Sequence, residues 1–359
     1  MKSVIPFLRL ISQRLVASNL QTPAETVTWM GAVQAQDYPM AKWGVGVRTT
    51  GATENSVQNA IDKGSILRTH VLRPTWHLVS SNDIHWMLQL TSKRIKATMN
   101  WMNRELNLTP EIFKKSNRLL AKILDGDNHL TRPEIIAAYK KSRIAVDENR
   151  LSHLLGWAEL DGIICSGANA GKKTTYALLS GRTNPRKPIS DDQALLRLTE
   201  QYFKSHGPAT AADFTWWSGL TLTLAKQGIE MAGKKLVSEI IDGKEYLMEP
   251  SLKDPQIEKG VVHLLPSYDE YLVAYKDRSA LIPATITKQI ISFNGIFRPV
   301  ILVDGKVAGV WARSFDGNTV VLELKFFGNV SRKVRTNLAH KAEQYGKFIA
   351  SPVITKFLV

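Results

Sequence analysis

Apolar positions near the start of the chain, Leu8, Ile11 and Leu15, recur at helical spacing and predict an amphipathic first helix within residues 1–20. A second helix is expected from Thr22-Pro23-Ala24-Glu25. Thr22 caps it, Pro23 suits its first position, and Glu25 completes a capping box. A third is expected over 53–63, stopped by Gly64, with strand-like runs at 66–70 and 75–79 on either side of Arg73-Pro74. Three helices followed by a hairpin is the order of a winged helix.

The pattern recurs after a linking helical pair at 82–125. Thr131-Arg132-Pro133-Glu134 opens a helix, and 147–161 forms another that carries Arg150, His153 and Trp157 and stops at Gly162. The runs 163–166 and 174–179 flank Gly167-Ala168-Asn169-Ala170-Gly171-Lys172-Lys173 and predict a second hairpin with a basic tip. A Pro-rich basic linker, Thr183-Asn184-Pro185-Arg186-Lys187-Pro188, precedes a third round: helices at 191–206, 209–218 and from 221, then strands at 235–240 and 245–248. From Val261 the texture changes to alternating apolar runs broken by Asp304-Gly305 and Asp316-Gly317-Asn318, and a basic amphipathic helix is expected at 331–350. The expected class is α+β. Three tandem winged-helix units, 1–81, 82–182 and 183–255, precede a β-rich C-terminal subdomain at 256–359 with its terminal helix.

Charge directs attention to a polyanion. The 359 residues carry 47 Lys and Arg against 32 Asp and Glu, a net charge of +15 and a pI near 9.7. A merely solubilising basic surface is the plain alternative. The sequence shows no apolar run long enough to span a bilayer and no apolar core of a secretion signal, so a cytoplasmic, nucleoid-associated protein is expected. One cysteine, Cys165, allows neither a disulfide framework nor a Cys-based zinc cluster, and its place in an apolar run marks it as a packed strand residue.

Several motifs fail on spacing. Gly171-Lys172-Lys173-Thr174 ends almost like a phosphate-binding P-loop but lacks four residues between its glycines and a hydroxyl residue directly after the first Lys. Lys172 and Lys173 are therefore read as a wing tip that touches phosphates. Gly44-Val45-Gly46 lacks the third glycine of a dinucleotide fingerprint. His70, His77 and His85 lack the partners of a metal site, so no metal and no cofactor is expected. His77 reads as a satisfied strand histidine, and as a wall of a lesion pocket in the sharper alternative. Asp269, Glu270, Asp277 and Arg278 read as a charged surface or an internal ion-pair network. Core packing is the expectation for Trp216-Trp217.

Gln34-Ala35-Gln36-Asp37 puts two neutral amides two residues apart, at what the pattern places as the end of a short helix. Two amides aimed at one water would make an enzyme, whereas amides bonded only to backbone would belong to a DNA-binding scaffold. On a regular helix residues i and i+2 point about 200° apart, so convergence requires the chain to leave helical geometry near Gln34, for which Gly31 and Pro39 provide. Asp37 is expected to cap the segment that follows.

Those residues, with Leu67-Arg68-Thr69-His70, Arg73-Pro74-Thr75-Trp76-His77, Gly162-Ile163-Ile164-Cys165-Ser166-Gly167, His206-Gly207-Pro208-Ala209-Thr210 and Leu264-Leu265-Pro266-Ser267-Tyr268-Asp269, occur in the order found in the AlkZ-type winged-helix DNA glycosylases, which the chain resembles over nearly its whole length. The resemblance implies three winged helices in a C-shaped clamp and a Gln-aliphatic-Gln motif at the catalytic centre, onto which Gln34 and Gln36 fall. A related branch has Asp at the second motif position; this chain has Gln36.

Hydrolysis of an N-glycosidic bond needs an activated leaving group, a positioned water and stabilisation of an oxocarbenium-like sugar. Alkylation at purine N7 or N3 charges the base and so activates the leaving group. Two amide carbonyls can then orient water and face the cationic sugar, more weakly than a carboxylate would. The implied enzyme is a narrow monofunctional glycosylase for cationic purines, with unhooking of interstrand crosslinks within its reach. Arg68, Arg73, Arg150, Lys172 and Lys173 are the expected DNA-binding set. No lysine nucleophile lies in the motif for lyase chemistry, no heptad seam supports a dimer, and no aromatic strand signature supports RNA binding. A monomer on duplex DNA is expected. The competing reading is a non-catalytic winged-helix DNA-binding or regulatory protein.

Overall fold

The computed structural model describes residues 4–185, 187–252 and 259–358. Arg186 of the expected linker and the expected boundary at 255–256 fall outside the described residues. After α1 (Ile5–Ser12) the chain forms α2 (Pro23–Met30), β1 (Ala32–Gln34), α3 (Tyr38–Gly46), α4 (Glu54–Asp62), β2 (Ile66–Val71) and β3 (Arg73–Ser80). The expected capping box at Thr22 and Glu25 is present. A long helix, α5 (Ile84–Glu105), leads to α6 (Pro110–Ile123), β4 (Leu130–Thr131), α7 (Arg132–Lys141), α8 (Glu148–Leu160), β5 (Ile164–Ser166), β6 (Thr175–Leu178) and the single turn α9 (Leu179–Arg182). The third round is α10 (Asp191–His206), an isolated bridge between Ala209 and Leu247, α11 (Ala211–Ser218), α12 (Leu222–Ala232), β7 (Val237–Ile241) and β8 (Lys244–Met248).

Helix, strand, helix, helix and hairpin thus follow one another three times, with the isolated bridge at Ala209 standing for the strand in the third round. The first two rounds make three-stranded sheets in the orders β1-β3-β2 and β4-β6-β5, and the third a two-stranded one. Sequence reasoning missed β1 and β4, the strands after the first helix of the first two rounds, and it missed α3. It also took α6 for a linker, where α6 stands as the first helix of the second round.

The remainder is β9 (Val262–Leu265), α13 (Glu270–Val273), α14 (Thr287–Ile290), β10 (Val300–Val303), β11 (Lys306–Asp316), β12 (Thr319–Phe326), α15 (Arg332–Phe348) and β13 (Val353–Leu358). Its five strands run in the order β13-β12-β11-β10-β9, antiparallel except that β13 joins β12 in parallel after the crossover through α15.

Two apolar clusters meet at β1. One joins Phe7 and Leu10 of α1 to Ala32, Val79, Leu198, Trp217, Leu272 and Val300. The other joins Val33, Ala35 and Trp43 to Leu264, Trp311 and Tyr345, so the C-terminal sheet and α15 pack on the segment that carries the glutamines. Ala32 faces one cluster, Val33 and Ala35 the other. A strand buried on both faces shows no polar alternation. A third cluster, around Phe113, Leu120, Tyr139 and Leu154, belongs to the second round alone.

Candidate active site

The glutamines sit on a strand and the turn after it, which corrects the expectation of a helix end. Gly31, with φ of +75°, stops α2 in a conformation costly for any residue with a Cβ, and the chain enters β1. β1 pairs antiparallel with β3, with Gln34 opposite His77, and the Ala35 N–H donates to the Trp76 carbonyl at 2.7 Å. Gln34 ends the strand and Gln36 lies in the bend that follows it. The chain has therefore left helical geometry, as convergence of the amides requires. Asp37 then caps α3: one oxygen accepts from the Met40 N–H at 3.3 Å and the other from the Ser267 hydroxyl at 2.8 Å.

Gln34 is 8% exposed. Its side-chain Oε1 accepts from Nη2 of Arg73 at 3.0 Å, and its backbone N–H donates to Oε1 of Glu270 at 2.7 Å. A guanidinium only donates, so the amide must turn its oxygen toward Arg73. A carbonyl oxygen has two lone pairs, and one remains to accept from a water. Glu270, at the start of α13, is 1% exposed, and its Oε2 accepts from the Trp217 indole N–H at 3.0 Å with His206 Nε2 at 3.6 Å. Burial alone would push the Glu270 carboxyl up; His206, then Arg73 and His77, outweigh it and hold it below its ordinary value. Burial lowers Arg73 from its ordinary value, and a guanidinium stays charged nonetheless.

His77 is fully buried. Its Nδ1 lies 2.9 Å from the Thr75 carbonyl, which only accepts, so Nδ1 carries the proton. Burial, and then the Arg73 charge, lower its pKa to about 3. It is a neutral strand histidine and no general acid. Gln36, by contrast, is exposed.

The expected cations divide. Arg68 donates through Nε and Nη2 to the Ala35 carbonyl, at 3.2 and 3.1 Å, and stacks on Trp76 and Tyr38, so it anchors the residue between the glutamines. Arg73 is turned onto Gln34. Arg150 donates to the Ala145 and Leu106 carbonyls. Lys172 and Lys173 are exposed at the tip of the β5–β6 hairpin.

Sequence reasoning did not connect Glu270, Trp217 and His206 with Gln34. The acidic pair was visible, and the internal-network reading holds: Asp269 takes a bidentate pair from Arg48 at 2.9 and 2.7 Å. Trp217 is core, while Trp216 is 43% exposed. Cys165 is buried, and burial pushes its thiol up to about 12. Among the described residues, no group of three or more His, Cys, Asp or Glu could hold a metal ion, and no helix is long and apolar enough to cross a membrane. A cavity of about 660 Å³ on α5, α6 and α8, lined by Asn103, Phe113, Asn117 and Trp157, includes neither glutamine.

The profile of the AlkZ-like DNA glycosylases matches residues 27–348. A curated relative from Streptomyces sahachiroi, an interstrand DNA cross-link repair glycosylase, is 26% identical over 327 residues, 84% of this chain and 85% of that one. The solved structure of the Streptomyces sahachiroi DNA glycosylase AlkZ superposes with a TM-score of 0.81 over 99% of both chains at 22% identity, a likeness of fold. With the profile spanning both glutamines and every element from α3 to α15, the chain belongs to the AlkZ-like family of DNA glycosylases.

Proposed function

We propose that the protein is a monofunctional glycosylase for cationic N7- or N3-alkylated purines in duplex DNA, and that Gln34 and Gln36 hold the water that attacks the sugar. The observation that carries this reading is the Gln34 amide, with one lone pair of its oxygen fixed by Arg73 and an exposed second glutamine in the bend two residues on. The groups around Gln34 supply no acid: His77 is neutral, and Glu270 is buried and engaged by donors. A base that departs without protonation is one that already carries a positive charge. Lys42, the lysine nearest the motif, is ion-paired with Glu54 at 2.6 Å, in keeping with hydrolysis rather than Schiff-base chemistry.

The three recurring rounds are taken as winged-helix units at 1–81, 82–182 and 183–255, followed by the C-terminal subdomain at 256–359, which together grip the duplex as a monomer in the cytoplasm. The exposed Lys172 and Lys173 contact phosphates. Crosslink unhooking is part of the proposal. It rests on the name of the Streptomyces relative and on the exposure of Gln36, which lets a bulky adduct approach without being enclosed.

Matched duplexes that carry one N7-methylguanine or one uracil test the reading. Release of the cationic base alone is expected. Comparable release of uracil would contradict it, and binding without release of either base would favour the non-catalytic DNA-binding reading.

A further inference from the structure

β1 is an edge strand, covered by β3 on one side only. Its last N–H, that of Gln34, goes to a side chain 236 residues away, the buried carboxylate of Glu270. A water or a backbone carbonyl could satisfy an edge N–H without placing a charge in the interior. Glu270 is instead kept there by two donors on two elements, the Gln34 N–H on β1 at 2.7 Å and the Trp217 indole on α11 at 3.0 Å, while His206 Nε2 on α10 stands 3.6 Å away, beyond hydrogen-bond reach. His206 is itself fixed, with Nδ1 2.8 Å from the Ser205 hydroxyl and its ring stacked on Tyr202. On the other side of Gln34, Arg73 takes the side-chain oxygen.

We propose that Glu270 and Arg73 are positioning residues that act through Gln34: Glu270 pins its backbone at the strand edge, and Arg73 fixes which end of its amide faces the reaction centre. The inference rests on the reading of Gln34 as a water-holding residue. A freely rotating carboxamide presents NH₂ and C=O to the same spot with similar shape, and only the carbonyl end accepts from a water whose lone pair must point at the sugar. Arg73 removes that ambiguity, because NH₂ against a guanidinium would set donor against donor. Glu270 does the same for the peptide unit that carries the side chain. Its negative charge also favours the charged form of the Arg73 guanidinium against the burial that opposes it.

Single-turnover release from an N7-methylguanine duplex at saturating protein, together with the duplex dissociation constant, is measured for Arg73→Lys, Glu270→Gln, Gln34→Ala and the double variant of Arg73→Lys with Gln34→Ala. The expected result is a rate about tenfold or more below wild type for each single variant, affinity within about twofold, and almost no further loss when Arg73→Lys is added to Gln34→Ala. Losses that multiply in the double variant would overturn the proposal, since the residues would then act independently. Arg73→Lys that weakens binding and leaves the rate intact would return Arg73 to the phosphate-binding set. A wild-type rate for Arg73→Lys or Glu270→Gln beside a slow Gln34→Ala would remove the positioning role and spare the glutamine. A wild-type rate for Gln34→Ala would remove both readings. If Glu270→Gln melts early by circular dichroism, the Arg73 arm decides alone.

Discussion

Gln34 is held at both ends, at its N–H by the buried Glu270 and at its side-chain oxygen by the half-buried Arg73. Their environment sets their ionisation. His77 titrates only near 3, burial holds His206 below its ordinary value, and Glu270 is held below the usual carboxylate range. At neutral pH the two imidazoles are thus uncharged and the carboxyl is ionised, and none of the three changes state on moving toward alkaline pH. The single-turnover rate is therefore expected to be level between about pH 7 and pH 8. A limb of unit slope with its midpoint in that window, measured by base release in a series of buffers, would place a titrating acid or base in the reaction. The glutamine pair was legible because its spacing is local. Arg73 and Glu270, 39 and 236 residues away from Gln34, were not, because nothing in a lone Arg or an acidic pair names its partner before the chain has folded.

β1 and α3 escaped the reading of hydrophobic period for different reasons. β1 is three residues long and apolar toward both of the clusters it touches, so it lacks the alternation that marks a half-buried strand. α3 carries Gly44 and Gly46, which propensity counts against a helix. Packing overrides propensity there: a Cβ on Gly46 would sit 2.7 Å from Cδ2 of Phe348 on α15 and closer still to Cε2, and Phe348 is itself buried. Propensity alone makes alanine better by about 1 kcal/mol, whereas overpacking costs about 1 to 3 kcal/mol. Gly46→Ala is therefore expected to lower stability, by about 1 kcal/mol or more, in urea denaturation. A variant as stable as the parent or more so would mean that α3 and α15 can move apart freely. β13 was missed because its partner β12 is reached only through the α15 crossover, a pairing that no short window reveals.

Across the molecule, the recurring order of helices and hairpins and the change to a β-rich end were legible, because turn residues and capping boxes punctuate them. The assembly of those parts was not. The second round keeps a core of its own, while the first round and the C-terminal part share two cores, one of them with the third round, and the strand of the glutamines contributes to both. Gln34, Arg73, Trp217 and Glu270 come from β1, β3, α11 and α13, so the candidate site exists only once these parts have docked. The measurement that bears most directly on the account is single-turnover base release from a duplex with one N7-alkylguanine, comparing wild type with Gln34→Ala and Gln36→Ala. Each substitution is expected to slow release by about tenfold or more while the duplex remains bound, the size expected when one preorganised electrostatic contact to the transition state is lost. Release at the wild-type rate from both variants would contradict the water-holding pair.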